Sequence, residues 1–167
     1  MPLGFTLPED LKIVNGLTLL GAVAPFTSQA VSVKNLQKLF IVISYNQGDA
    51  DDQQWTPQRA IDIAFGTPAV LGSTVPVWSN LDCGASDTLV RRANALNYDS
   101  GVGLARKLII FQIDPARLGL DGNDVPYDCI RVVTTGNVAA TSEGSITFIG
   151  VPRYPGPVDQ QLSIITN

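Results

Sequence analysis

The sequence predicts an all-β fold: a single antiparallel β-sandwich domain with at most one or two short helices and extended arms at both ends. Two observations carry this. Between residues 106 and 153 lie three consecutive segments rich in β-branched and aromatic residues: Lys107-Leu-Ile-Ile-Phe-Gln-Ile-Asp114, Cys129-Ile-Arg-Val-Val-Thr-Thr135 and Ser145-Ile-Thr-Phe-Ile-Gly-Val151. Each is bounded by Gly, Pro, Asp or Asn, which is how strands end. The second observation is their alternation. Ile130, Val132 and Thr134 point one way and Arg131, Val133 and Thr135 the other, while Ile146, Phe148 and Gly150 oppose Ser145, Thr147 and Ile149. Mostly apolar strands with one more polar face suit two packed antiparallel sheets better than an open α/β sheet.

Taken in order, residues 1–33 read as an N-terminal arm. Leu3, Phe5, Leu7, Leu11, Ile13, Val14 and Leu17 are interrupted by Pro2, Gly4, Pro8 and Gly16. A greasy arm of this kind has to lie on its own domain or on a neighbour. Leu7-Pro-Glu-Asp-Leu-Lys12 suits a short helical turn with proline early and acids in the first turn, and residues 17–24 an edge strand. Residues 34–151 form the sandwich domain. It opens with the strand Leu36-Gln-Lys-Leu-Phe-Ile-Val-Ile-Ser-Tyr45, followed by an acidic loop with Asp49, Asp51 and Asp52. After Trp55, the segment Ala60-Ile-Asp-Ile-Ala-Phe65 fits a helix with Thr56 as cap and Pro57 at its first position. It also fits a strand with Ile61, Ile63 and Phe65 on one face, and the stop at Gly66-Thr-Pro68 favours the strand. Val75-Pro-Val-Trp-Ser79 reads as a short edge strand, where proline's missing donor costs nothing. Thr88 to Asn97 carries the best helical spacing, with Asp87 as cap and Leu89, Ala93 and Leu96 on one face. The three strands follow, linked by a turn around Gly119–Pro126 and a hairpin loop over 135–144. Residues 152–167 form a C-terminal tail, in which Gln161-Leu-Ser-Ile-Ile-Thr166 suits a last strand on its own sheet or a neighbour's.

Composition narrows the function. The chain has 167 residues, enough for one domain with a real core, and 45% are hydrophobic. Only 16% are charged, below the usual ~25%, as expected of a surface partly covered by something else or of a neutral surface rich in Ser, Thr, Asn and Gln. The net charge is −4 and the pI about 4.6. Basic residues are scattered, with Arg91-Arg92 and Arg106-Lys107 the only adjacent pairs. This argues against nucleic-acid binding, which needs a clustered basic footprint. No apolar run is long enough to span a membrane. The start has no basic region of the signal-peptide kind, which implies a protein made and kept in a cytoplasm unless lysis releases it. The chain has no histidine, which removes Ser-His-Asp and Cys-His catalysis and the commonest zinc sites. Cys83 and Cys129 lack metal or redox spacing and read as two reduced thiols, a single disulfide being the alternative.

Other constellations point to little chemistry. Asp49, Asp51 and Asp52 match no EF-hand spacing and read as a solvated loop. Asp121-Gly-Asn-Asp124 reads as a turn before it reads as a calcium loop. Gly101-Val-Gly103 precedes a strand, the wrong order for a dinucleotide fingerprint. No metal, cofactor or catalytic residue is therefore expected. Trp55 and Trp78 adjoin loops; buried they are core, and exposed they would stack on sugars or anchor a protein interface.

The segments 107–114, 129–136 and 144–153, together with the start 1–10, resemble small virion structural proteins of tailed bacteriophages, most of all those that cement or decorate the head. The resemblance covers roughly a third of the chain in overall style and maps no functional residue. It implies a jelly-roll or related sandwich on the capsid surface of a virion, acting as a dimer or trimer that bridges subunits of the major capsid protein. The interface residues expected are Phe5, Leu7, Leu11, Tyr154, Ile164 and Ile165. A tail, connector or coat subunit shares the same composition. A carbohydrate-binding sandwich and a histidine-free hydrolase are the readings from other classes.

Overall fold

The computed structural model describes residues 11–20, 26–48, 50–135 and 142–154. In chain order the strands are β1 (Lys12–Leu20), β2 (Val31–Ser32), β3 (Leu36–Asn46), β4 (Gln54–Ala60), β5 (Ala69–Val70), β6 (Val77–Asn80), β7 (Val90–Arg91), β8 (Tyr98–Asp99), β9 (Arg106–Ile113), β10 (Cys129–Thr135) and β11 (Glu143–Pro152). They form two antiparallel sheets, one of order β1-β11-β3-β9-β6-β7 and the other β2-β10-β4-β5, with β8 also paired to β4. The fold is all-β and sandwich-like, as the alternation predicts. The one helical element among the described residues is a 3-10 turn, Pro115–Arg117, capped by the Asp114 carboxylate.

The core fills the space between the sheets. The six-stranded sheet contributes Leu39, Ile41 and Ile43 from β3, Ile109, Phe111 and Ile113 from β9, and Ile146 and Phe148 from β11. The smaller sheet answers with Trp55, Ile130 and Val132, all buried. These are the inward parities of the two alternating strands, so Ile130, Val132 and Thr134 face inward together. Covering eight such aliphatic and aromatic side chains from one sheet alone removes enough apolar surface to dominate the folding free energy, at about 1.5–3 kcal/mol for each.

The sheets are stitched at one edge. A bulge interrupts the β1–β11 register between Asn15 and Leu17. Gly16 sits there because a Cβ would overlap the Phe148 ring, and its carbonyl accepts the Gln29 N–H at 2.9 Å. Residues 26–33 then run along β10. Ser28 N–H donates to the Val132 carbonyl and Ser28 Oγ accepts from Val132 N–H, both at 2.8 Å. Segments of residues 1–33 thus enter both sheets, in β1 and β2.

Several local expectations are corrected. The chain from Thr88 to Asn97 is not a helix. Arg92 N–H donates to the Val77 carbonyl and Ala95 pairs with Val75 in both directions, so the segment satisfies the open side of β6 in preference to its own turns. β6 therefore lies inside the sheet and not at its edge. The strand after Trp55 ends at Ala60, not Phe65. Asp62 Oδ1 accepts the Phe65 N–H at 3.0 Å and Phe65 adopts φ of 54°, which reverses the chain. Pro57 lies inside β4 and starts no helix. Its partner Val132 directs its own backbone groups to Ser28, so this is a non-hydrogen-bonded pair. Pro57 faces the gap between β8, opposite residues 54–55, and β5, opposite 58–59, where no ladder bond is lost. Finally, β10 and β11 belong to different sheets, so the two strands do not pair as the hairpin expected around 135–144.

Candidate functional site

The outer faces of the two sheets differ, and the difference locates the candidate site. The smaller sheet turns Gln54, Thr56, Gln58, Arg131 and Thr135 outward. Of its apolar outward positions, Ala60 and Cys129 are covered by Phe65 and packed with Ala30 and Ile63, while Val133 is half-buried and Val70 is 53% exposed. Arg131 stacks over the Phe65 ring at 4.4 Å. Val70 and Val133 apart, that face is polar or sealed by the chain's own turn.

The six-stranded sheet is the reverse. Its outward parity carries Ile13 on β1, Ile149 and Val151 on β11, Phe40 and Val42 on β3, Leu108 and Ile110 on β9, and Trp78 on β6. These residues are half-buried by one another, except Ile13, which is 49% exposed. None belongs to the core cluster or packs on it, and among the described residues no strand or helix is layered over them. Cross-strand pairing makes the patch continuous, through Ile13–Ile149–Phe40 in one row and Val42–Ile110–Trp78 in the next. A contiguous apolar patch rimmed by polar residues marks an interaction surface.

This patch was the main feature missed in the sequence. The signal was the unbroken run Leu39-Phe-Ile-Val-Ile43. An antiparallel strand with one wet face should alternate, whereas a continuous apolar run belongs to a strand covered on both faces.

The two ends of the sandwich carry polar chemistry. At one end Lys107, 2% exposed, donates from Nζ to Gln47 Oε1 at 2.8 Å, the Ser100 carbonyl at 2.8 Å and the Gly101 carbonyl at 2.6 Å. Ser100 Oγ also donates to Gln47 Oε1, and Gln47 Nε2 donates to the Asp51 and Gly101 carbonyls. Burial lowers the pKa of Lys107, and the charge of Asp52 raises it in part. Three oxygens take all three ammonium hydrogens, so the group acts as a clamp. At the other end an open cleft of about 200 Å³ is lined by Lys38, Thr74, Gln112, Asp114, Arg117 and Leu118. Its one carboxylate, Asp114, accepts the Ala116 N–H at 3.1 Å and is committed to capping the turn.

Of the interface residues expected from sequence, Phe5, Leu7, Ile164 and Ile165 lie outside the described residues, as do residues 21–25 and the strand expected over 161–166. Leu11 is half-buried beside β1. Tyr154 is 78% exposed, and residues 153–154 leave the body where Arg153 N–H donates to the Asn35 carbonyl. Trp55 is core, 0% exposed. Trp78 is half-buried with the Arg91 guanidinium 4.9 Å over its ring. Asp51 and Asp52 are exposed, Asp49 is not described, and no group of three metal-ligating side chains occurs among the described residues. Asp121 Oδ1 accepts from Val125 N–H and Asn123 N–H, both at 2.8 Å. Those backbone bonds, Val125 first, lower its pKa and spend the carboxylate on its own turn. No described helix is long and apolar enough to cross a membrane. The chain matches no protein-family model, no curated protein and no solved structure.

Both cysteines are free, Cys83 exposed and Cys129 buried. Burial, then the hydrogen bond to Asp128, raise the Cys129 thiol from 9.0 to about 12. A thiol-specific reagent at pH 8 is expected to label one cysteine in the native chain and two after unfolding, since the thiolate is the reactive form. The sign of the linkage follows. The folded state holds the Cys129 proton more tightly, so the stabilisation is complete below pH 9 and is lost as pH rises from 9 towards 12. Cys129→Ala should flatten the alkaline fall in stability relative to wild type. Equal labelling of both thiols in the native chain would show that Cys129 is accessible.

Proposed function

We propose that the protein is a non-enzymatic structural subunit of a phage particle, a cement or decoration protein that binds and stabilises the capsid shell. One observation carries the reading: the apolar outer face formed by Ile13, Phe40, Val42, Leu108, Ile110 and Ile149, which needs another protein surface to shelter it. Each apolar side chain covered contributes about 1.5–3 kcal/mol before association costs are met. On a shell the same contact recurs many times, and repetition converts a modest contact into firm retention. The low charge content and the apolar sequences of residues 1–10 and 161–166 support the same reading. A sugar-binding role is supported less, because Trp55 is core and Trp78 lies beneath Arg91. A tail, connector or coat subunit would use the same kind of face.

The test is co-sedimentation of the purified chain with heads, and separately with tails, of a phage whose genome encodes the chain. Wild type should travel with heads. Val42→Glu, which places a charge in the middle of the patch without touching the core, should keep its circular dichroism and lose head binding by on the order of a hundredfold. Retention on tails alone would move the assignment to the tail. A folded Val42→Glu chain that binds as wild type would remove the face from the mechanism.

A further inference from the structure

We propose that the surface covering the outer face is a second copy of this chain, related by a two-fold axis along β3. This rests on the contact-surface reading above: the face joins two copies, and the shell meets the remaining surface of the dimer. The argument is one of register. Glu143 pairs with Asn46 and Asn46 with Arg106, so the three lie in one row across β11, β3 and β9. Glu143 and Arg106 are both on the outward parity and both exposed. They stand one strand to either side of β3, each about 4.8 Å from it. Among the described residues neither forms an ion pair.

Rotation about an axis along β3 exchanges the positions of β9 and β11 in the facing layer. Arg106 of each copy then meets Glu143 of the other, giving two identical ion pairs from one rotation. Phe40 and Val42, on β3, lie on the axis and meet their own equivalents. Ile110 and Ile149 fall opposite Thr147 and Gln112, so the apolar centre is flanked by neutral groups. A like-charge contact remains at Lys38, also on β3, which faces its own equivalent at the exposed far end of the axis, with the copy's Asp114 one strand to its side. Face-to-face sheets pack about 10 Å apart with strands within about 30° of alignment, which this axis permits. An isologous contact of this kind is self-complementary by construction. An unrelated partner gives no reason for opposite charges to sit symmetrically about the middle strand. A shift of the axis by one strand, onto β11 or β9, would set Glu143 or Arg106 against itself and would forfeit both ion pairs. Five strands of this length project a face on the order of 500 Å², which side-chain relief raises towards the about 800 Å² per partner of a standard interface.

The experiment is sedimentation equilibrium of the full chain, with Arg106→Glu, Glu143→Arg and the double variant compared at low salt. Wild type should be a dimer. Each single reversal should weaken dimerisation on the order of tenfold by opposing like charges, and the double should regain wild-type affinity. Unchanged circular dichroism separates loss of contact from loss of fold, since both positions are exposed. A monomeric wild type overturns the proposal, as do single variants that dimerise like wild type or a double that stays weak. Head binding is scored separately. A monomer that still sediments with heads removes the dimer and leaves the shell reading, whereas a dimer that never binds particles does the opposite.

Discussion

Trp55→Ala is expected to lower the unfolding free energy by about 3–5 kcal/mol, the range for emptying a fully buried large aromatic site. Trp55 is the largest wholly buried side chain described, and it holds the smaller sheet against the larger one. Its ring meets Phe26 at 5.3 Å, tilted, and Tyr45 at 5.2 Å, edge-on. Phe26 comes from the segment beside β10 and Tyr45 from β3, so one ring joins three pieces of chain. Each such aromatic pair adds roughly 0.5–1.5 kcal/mol beyond area burial. Trp55→Phe is the informative comparison. Trp55 Nε1 is buried with no acceptor among the described residues, and phenylalanine removes that uncompensated donor while keeping an aromatic ring between the same neighbours. Its cost should be only about 1–2 kcal/mol, less than lost volume alone would suggest, because relief of a buried unpaired donor offsets part of it. Urea denaturation followed by far-ultraviolet circular dichroism measures both. An alanine variant within about 1 kcal/mol of wild type would mean that the two sheets do not depend on this residue.

What the sequence disclosed, and what it concealed, follows from how far each signal reaches along the chain. β9, β10 and β11 were legible because side-chain parity is a local property. Ile130, Val132 and Thr134 alternate with Arg131, Val133 and Thr135, and burial follows the alternation. Sheet membership is not local, so nothing in 129–151 announces that β10 and β11 part into different sheets. The segment 88–97 misled for a related reason. Leu89, Ala93 and Leu96 have helical spacing, but a helix there would leave the open side of β6 without partners. Tertiary hydrogen bonding at Val75 and Val77 overrides a weak propensity. Pro57 hid β4, because its place in the gap between β8 and β5 depends on strands that come later in the chain. The candidate face was half-legible. The run from Leu39 to Ile43 says that both sides of β3 are sheltered, while the partners that make one side a patch, Ile13, Ile110 and Ile149, come from three distant segments.

The same dependence on distant segments makes Lys107 the second sensitive position. Lys107→Met should cost about 2–4 kcal/mol, although methionine matches the length of the stem and suits a buried site. The loss is electrostatic. Lys107 Nζ joins Gln47, just after β3, to the Ser100 and Gly101 carbonyls, and methionine donates nothing to them. Some of these acceptors keep a partner. Ser100 Oγ still reaches Gln47 Oε1, and Gln47 Nε2 still reaches the Gly101 carbonyl. The Ser100 carbonyl is the group most exposed to the change, and an unsatisfied buried acceptor costs about 1–3 kcal/mol. The damage should also be local before it is global. Amide exchange should quicken first at Gln53, whose N–H donates to Ser100 Oγ, and at Ser100, whose N–H donates to the Gln53 carbonyl. The centre of β3 should keep its protection, because Ile41 and Ile43 are packed by the opposite sheet and not by the clamp. If exchange instead quickened evenly across β3, β9 and β11, the lysine would be holding the whole sandwich. If stability were unchanged, the ammonium's hydrogen bonds would only offset the cost of burying it, the usual balance when a charge is taken out of water.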